Sequence, residues 1–271
     1  MLKENLYKII NHQYTLPDGL SEYEAVLQIV QILGSTDPEL RDDLGYHVLS
    51  KWLLEKNFLS AEQLEDLLYQ ALSNEMLFYH IGEEEKDSVF LRSFSALLIA
   101  LILIRDNREQ FLSESAFRLV VDRVVSYCHL EKDFRSYDEE KGWAHAPAHI
   151  SDVIDECMIN RFVTVDDCNK LWHGLLSLLE RAPHVYDAEE DERMATVVTS
   201  MIEKGKVSLS TLVDWLEEVS VPVRKDIISM NKQINMKHFI RAIFFRLHAK
   251  NLLQDASQQF ISFETKFNRF I

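Results

Sequence analysis

Two histidines and two carboxylates follow one another at helical spacing near the middle of the chain. His145 and His149 are four residues apart, and Asp152 and Glu156 come three and seven residues after the second histidine. Pro147 favours a helix start just before it, because proline is tolerated in the first turn of a helix. At 100° per residue, the four polar side chains then point within about 60° of one another. The spacing therefore predicts a polar stripe on one face of this helix.

Three kinds of role fit this stripe. His145, His149 and Asp152 have the ligand types of a divalent metal site, since imidazoles one turn apart can be joined by a carboxylate from the next turn. The pattern lacks the glutamate of a His-Glu-x-x-His motif, and its first histidine stands at the helix end. Acid/base chemistry or ligand binding without a metal is the second alternative, because histidine titrates near neutral pH. A structural, hydrogen-bonding role is the third.

Charged and aromatic residues upstream form a second group of candidates. Arg135, Tyr137 and Trp143 lie in the connector before the helix, a position often used to close a cleft, although a salt-bridged loop is an equal alternative. Arg92 lies near the start of an apolar helix, where a charge needs a carboxylate partner or an exposed helix end. The residues predicted to line a ligand site are Arg92, Arg135, Tyr137, Trp143, His145, His149, Asp152 and Glu156.

Residues that favour turns are scarce in this chain of 271 residues, which has seven glycines and five prolines. This composition favours long helices joined by short loops. Ser21, Ser60 and the pair Asp37-Pro38 are start signals for three of these helices. Amphipathic patterns then predict helical hairpins, with paired segments at 37–53 and 60–72, 87–106 and 113–130, 147–160 and 164–182, and 188–204 and 208–218.

Successive hairpins predict an all-α fold stacked as a HEAT-like α-solenoid. The hairpin starts are irregularly spaced, so a closed helical bundle or an α/α toroid is the alternative. We expect one domain over residues 1–271, with a soft boundary near 82–87. The helix after that connector is apolar nearly all round and must be covered from several sides, which favours a single domain. Three tryptophans on apolar helical faces are expected in the core, namely Trp52, Trp172 and Trp215.

The chain shows no export or membrane signal in its sequence pattern. Its most apolar run, Phe94–Ile104, is half of the roughly 20 residues that a membrane-spanning helix needs, so we expect a buried central helix. The N-terminus lacks the apolar core of a signal peptide. Cys128, Cys157 and Cys168 are odd in number and lack CxxC spacing, which predicts buried thiols in the reducing cytoplasm.

The charge distribution restricts the partners. A net charge of −15 disfavours nucleic acid and anionic membranes, because both bind basic surfaces. Residues 222–271 nevertheless carry nine Lys/Arg and only three Asp/Glu. This basic segment can dock within the fold, contact another subunit in a homo-oligomer, or hold an anionic ligand. Docking against the acidic remainder of the same chain is the first expectation.

Several phrases in the chain occur together in one known family. They are Asp37-Pro38-Glu39-Leu40-Arg41-Asp42, Gly82-Glu83, Asp87-Ser88-Val89-Phe90-Leu91-Arg92-Ser93-Phe94-Ser95, Asp133-Phe134-Arg135-Ser136-Tyr137, Gly142-Trp143-Ala144-His145-Ala146-Pro147-Ala148-His149 with Asp152, and Asp191-Glu192-Arg193. With these phrases the chain resembles the bacterial family called domain of unknown function 2785. The family tends to have glycine at Ser136 and a residue other than proline at Pro147. The resemblance implies a helical, cytosolic bacterial protein and supports grouping the arginine, tryptophan, histidine and aspartate candidates, but it implies no activity.

Two functions are consistent with these patterns. The first is a binding or interaction module whose concave face, lined by the helix after His145, accepts a peptide, a protein or a small anionic ligand. The second is a hydrolase or lyase that uses His145, His149 and Asp152, with or without a divalent metal as cofactor, and that requires a deep pocket. The sequence contains no phosphate-binding loop, Gly-x-Ser-x-Gly motif or Cys/His zinc framework. Nucleotide-driven chemistry and common serine hydrolysis are therefore weakly supported.

Overall fold

The computed structural model describes residues 2–253, 255–268 and 270. Their regular secondary structure is almost entirely helical, with two short strands as the exception, which confirms the predicted all-α class. The helices of the first half are α1 (Lys3–Asn11), α2 (Glu22–Val30), a π-helix (Glu39–Tyr46), α3 (His47–Leu54), α4 (Ala61–Ala71), α5 (Ser88–Glu109) and α6 (Glu114–Leu130). The later elements are β1 (Tyr137–Asp138), β2 (Gly142–Trp143), α7 (Ala146–Ile159), α8 (Val165–Arg181), α9 (Glu190–Glu203), α10 (Leu209–Glu218), α11 (Ile227–Ala249) and α12 (Ser257–Phe267).

Side-chain caps begin helices at the predicted positions. The hydroxyl groups of Ser21 and Ser60 accept hydrogen bonds from backbone N–H groups three residues later, each within a capping box. Asp37 likewise accepts a hydrogen bond from the N–H of Leu40, at 3.2 Å. The element that follows Asp37 is a π-helix rather than the expected α-helix. Such wide turns are rare and are frequent at functional sites.

Alternate helices, rather than consecutive ones, make the most extensive contacts. Helix α5 packs along α7, α7 along α9, and α9 along α11, while α6 packs along α8. Helix α5 contacts α7 far more than it contacts α6, its predicted hairpin partner. Helices α3 and α4 cover α5 from another side. This cover is required because α5 is apolar nearly all round.

The apolar run in α5 is buried in protein. The helix is long and apolar enough to cross a membrane, but 83% of its most apolar stretch is buried among neighbouring helices. This is the burial expected of a core helix. Trp52, Trp172 and Trp215 also lie in the core, as predicted. The three cysteines are buried and unpaired, again as predicted.

The basic C-terminal segment lies partly against the acidic helix α9. Arg246 forms an ion pair with Glu192 at 2.7 Å, and Lys250 pairs with Glu203 at 2.9 Å. Since both acids belong to α9 and both bases to α11 or its end, part of the basic charge is matched within the chain.

Candidate functional site

A short hairpin positions the start of α7. Tyr137 pairs with Trp143 in the antiparallel strands β1 and β2. The chain then passes through His145, which has a left-handed backbone conformation with φ of 50°. Its N–H lies 3.1 Å from the carbonyl oxygen of Arg135 and 3.2 Å from that of Ser136. The helix begins at the next residue, which confirms the start predicted from Pro147.

Arg41 fixes this hairpin to the π-helix. Its buried guanidinium donates to the carbonyl oxygens of Lys141 and Trp143, at 2.6 and 3.1 Å. The guanidinium carbon also lies 4.2 Å from the ring centre of Phe90 and 4.8 Å from that of Phe94. Burial lowers the pKa of Arg41 to about 10, so the side chain stays charged at neutral pH. Arg41 thus couples the N-terminal helices to the segment that leads into α7.

A pocket of about 670 Å³ opens beside the first two turns of α7. It is formed by the π-helix, α5, β2, α7, the loop before α9 and α9 itself. Its size is that of a small-molecule site. The lining residues are Asp42, Tyr46, Leu97, Trp143, His145, His149, Asp152, Asp187, Ala188, Glu189 and Arg193.

His149 lies at the buried side of this pocket. Its Nδ1 is 2.6 Å from Oγ of Ser93, and the Ser93 hydroxyl donates to the carbonyl oxygen of Ala144. Its ring also packs edge-on against Phe94, with ring centres 5.4 Å apart. Burial lowers the pKa of His149 well below the ordinary histidine value, and the neighbouring His145 lowers it further. His149 is therefore neutral at neutral pH.

Ser93 orients this histidine and is not placed as a nucleophile. A serine next to a histidine resembles the nucleophile and base of a hydrolase. Ser93 is however fully buried, and its hydroxyl hydrogen is donated to the Ala144 carbonyl. The residue is also absent from the pocket lining. Its contact with His149 fixes the orientation of the imidazole ring.

His145 connects the pocket to the loop before α9. Its Nε2 lies 2.9 Å from the carbonyl oxygen of Ala188 and 3.4 Å from a carboxylate oxygen of Glu190. Burial favours the neutral form of Glu190, but hydrogen bonds from His145 and Ser136 outweigh this effect and lower its pKa. Glu190 thus holds both the histidine and the hairpin in place while remaining ionised.

The imidazoles belong to a continuous row of aromatic rings. The ring of His145 stacks on Trp143 at 4.9 Å and meets the edge of His149 at 5.5 Å. Beyond these rings, Tyr137 packs against Trp143 at 4.8 Å. Trp143 remains 39% exposed, so it lies at the mouth of the pocket. The row provides ring faces and edges along one wall.

Carboxylates dominate the charge of the pocket. Asp152 pairs with Arg193, which is the one cation among the described lining residues. Burial raises the pKa of Asp152 although the hydrogen bond from Arg193 acts in the opposite direction. A carboxylate oxygen of Asp187 lies 3.1 Å from Oγ of Ser136, whose single hydrogen is closer to Glu190. The acidic lining is therefore only partly neutralised by the chain itself.

Asp42 is a half-buried carboxylate of the lining that has no partner among the described residues. Its side chain is half-buried, and within the described part of the chain it forms neither an ion pair nor a hydrogen bond. Burial raises its pKa, while Arg41 lowers it less strongly. Because a half-buried carboxylate lacks part of its hydration, a cation placed in the pocket would be stabilised next to Asp42.

Four of the residues predicted from the sequence lie outside the pocket lining. Arg92 forms a fully buried ion pair with Glu131, at 2.7 and 2.8 Å, which is the carboxylate partner that its position required. Arg135 binds Asp133 in the connector. The ring of Tyr137 packs against the ring of Trp143, and the Tyr137 side chain is exposed. Glu156 turns towards α5, where it accepts a hydrogen bond from the Asn107 side chain at 3.0 Å.

The structure brings four of the predicted residues together, namely Trp143, His145, His149 and Asp152. They do not assemble a metal centre in the described part of the chain, where no group of three or more His, Cys, Asp and Glu side chains is arranged to hold an ion. Two features explain this. Asp152 is bound to Arg193, and Nε2 of His145 is directed at the Ala188 carbonyl.

Sequence reasoning did not identify the other side of the pocket. Asp42, Tyr46 and the loop 187–189 are distant from α7 along the chain, and no periodic pattern joins them to it. Arg193 and Ser93, like Asp42, occur in the phrases that carry the family resemblance, which was the one available signal for all three. The roles of Arg193 and Ser93 follow only from their contacts with Asp152 and His149.

Comparison with known proteins gives one match. The family model described as protein of unknown function (DUF2785) matches residues 77–245. No curated protein and no solved structure matches the chain. The matched residues contain α5 to α10 and most of α11, and thus most of the pocket, whereas Asp42 and Tyr46 lie before them. Because the match covers more than half of the chain, the protein belongs to the DUF2785 family.

Proposed function

We propose that this protein binds a small organic cation in the pocket beside α7. The observation that carries the proposal is the composition of the lining, which combines four carboxylates with aromatic rings and a single, already paired cation. Aromatic faces attract cations through the ring quadrupole, and carboxylates attract them directly. A small anion is disfavoured because Arg193 is engaged with Asp152.

Asp42 is the proposed anchor for the positive charge. It is half-buried and has no partner among the described residues, so a bound cation would replace hydration that the carboxylate lacks. Tyr46, on the same π-helix, also contributes to the pocket lining. The side chains of Leu97 and Trp143 add apolar surface for the carbon skeleton of the ligand.

Binding is better supported than catalysis. The described lining residues include no serine, threonine or cysteine that could act as a nucleophile. Asp152, one of the three residues expected to act in a hydrolase or lyase, is paired with Arg193. The binding or interaction module inferred from the sequence is therefore the function we retain, with a small cation in place of a peptide, a protein or an anion.

The proposal includes the architecture that carries the pocket. The row α5, α7, α9 and α11 beside the row α6 and α8 supports a HEAT-like stack that folds as one domain. One continuous hydrophobic cluster, with members from Leu6 to Phe267, supports the same view. The three buried, unpaired cysteines support a cytoplasmic location.

Three phenyl compounds of similar size test the proposed charge preference. They are 2-phenylethylammonium, 3-phenylpropionate and 2-phenylethanol, which differ mainly in charge. Isothermal titration calorimetry should detect binding of the cation and much weaker binding of the other two. Asp42→Asn should weaken cation binding by about 1.5–3 kcal/mol, the usual value of a hydrogen bond to a charged group. Glu217→Gln removes an exposed carboxylate on α10, outside the pocket, and should leave binding unchanged.

Two results would contradict the proposal. One is binding of the anion as tight as that of the cation. The other is cation binding that Asp42→Asn and Glu217→Gln affect equally, because the interaction would then depend on overall charge and not on the pocket.

A further inference from the structure

The hydrogen-bond chain behind His149 determines which ring nitrogen carries the proton. The Ser93 hydroxyl has one hydrogen, and this hydrogen is donated to the carbonyl oxygen of Ala144. Oγ of Ser93 must therefore act as the acceptor in its 2.6 Å contact with Nδ1 of His149. It follows that Nδ1 carries the hydrogen and that Nε2 has a free lone pair.

The lone pair of Nε2 is available to a ligand. No described residue forms a hydrogen bond with this nitrogen, and Nε2 is not one of the fully enclosed polar atoms that lack a partner. His149 contributes to the pocket lining. Burial and the nearby cations Arg193 and Arg41 favour the neutral ring. The Phe94 contact and the Ser93 hydrogen bond together hold the ring in one orientation.

We propose that Nε2 of His149 accepts a hydrogen bond from an N–H group of the bound cation, so that the pocket selects ammonium ions that carry N–H groups over quaternary ammonium ions. This inference rests on the proposed function, since the carboxylates supply the attraction for the charge. His149 adds the chemical selection, because a neutral acceptor can distinguish two ions of equal charge by their hydrogens alone. Ser93 is the positioning residue, because it determines which nitrogen remains unprotonated.

A matched pair of ions tests the selection. 2-Phenylethylammonium and trimethyl(2-phenylethyl)ammonium share the charge and the phenyl group, but only the first has N–H donors. Calorimetry at neutral pH should show that the parent protein binds the primary ion at least about tenfold more tightly, as one hydrogen bond to a charged group would give. His149→Phe keeps an aromatic ring of similar size and should clearly reduce this preference, to the part that the carboxylates contribute as acceptors of N–H groups. The variant should still bind the quaternary ion, since the carboxylates are unchanged.

Nuclear magnetic resonance of nitrogen-15-labelled protein gives an independent readout on the parent chain. The signals of His149 should show a hydrogen on Nδ1 and none on Nε2 at neutral pH. In Ser93→Ala the Nδ1 hydrogen loses its acceptor, so the proton should be shared between the two nitrogens and the preference for the primary ion should fall. This measurement keeps the inference testable even if His149→Phe does not fold.

The outcomes separate the inference from the proposed function. If the parent binds both ions equally, the selection by His149 is overturned while cation binding stands. A preference for the primary ion that is undiminished in His149→Phe overturns it as well, as does a hydrogen on Nε2 in the parent. If neither ion binds, the proposed function fails, and the inference fails with it.

Discussion

Mild acid should destabilise this protein through His149. The ring is 6% exposed, and burial holds its pKa well below the ordinary histidine value of about 6.5. The unfolded chain therefore takes up a proton on this residue at a higher pH than the folded chain does. Stability contributed by the neutral ring is complete above about pH 6.5 and is lost as the pH falls below that value, because protons then favour the unfolded state.

The size of the effect follows from the difference in proton binding. While His149 stays neutral in the folded chain, each pH unit well below the unfolded pKa lowers the free energy of unfolding by about 1.4 kcal/mol. A decrease from pH 7 to pH 5.5 spans the start of this range and should cost about 1 kcal/mol. A phenylalanine at this position cannot be protonated. His149→Phe should therefore lose about 1 kcal/mol less than the parent over the same interval.

Urea unfolding at pH 7 and pH 5.5, followed by circular dichroism, measures this difference. Other titrating groups with shifted pKa values, including Asp42 and Asp152, are present in both proteins and largely cancel in the comparison. His12 is exposed, so His12→Gln should lose as much stability as the parent. Equal losses in the parent and His149→Phe would refute the conclusion that the buried ring is neutral.

Two further predictions concern the framework of the site. Arg92→Met should lower the free energy of unfolding by about 3–5 kcal/mol, because it leaves the buried Glu131 carboxylate without its partner. Adding Glu131→Gln should restore much of this loss, as measured by urea unfolding. A double variant as unstable as Arg92→Met would contradict this. Gly142→Ala should cost about 1–3 kcal/mol more than Gly205→Ala. Both glycines have positive φ, but a Cβ at Gly142 would lie 2.6 Å from Cβ of Pro38, whereas a Cβ at Gly205 would have no neighbour within 4 Å. Equal thermal unfolding temperatures for the two variants would rule out this clash.

Local signals explain why the helices were predictable. Ser21 and Ser60 cap their helices with backbone groups three residues away, and Pro147 defines the start of α7 within one turn. The apolar run in α5 had to be buried in any soluble arrangement. Each of these features depends on residues that are close together in sequence. The π-helix was missed because its wider turns have no comparable periodic signature.

Helix pairing depended on the tertiary structure. Amphipathic patterns identify an apolar face but do not identify the helix that covers it. Sequence order suggested that α5 would pair with α6, yet α5 lies along α7. The charge pattern was more informative, because the basic segment and the acidic remainder are complementary and Arg246 does contact Glu192.

For the site, the sequence alone determined that two histidines and Asp152 begin a proline-started helix, since this arrangement depends on spacing within one element. It did not determine what faces them. The tertiary structure placed Asp42 in the lining of the same pocket, turned Glu156 towards Asn107 and paired Asp152 with Arg193. These contacts join residues far apart in the chain, so they depend on how whole helices pack. Because of this packing, His145, His149 and Asp152, whose residue types suit a metal site, line an acidic, aromatic pocket instead.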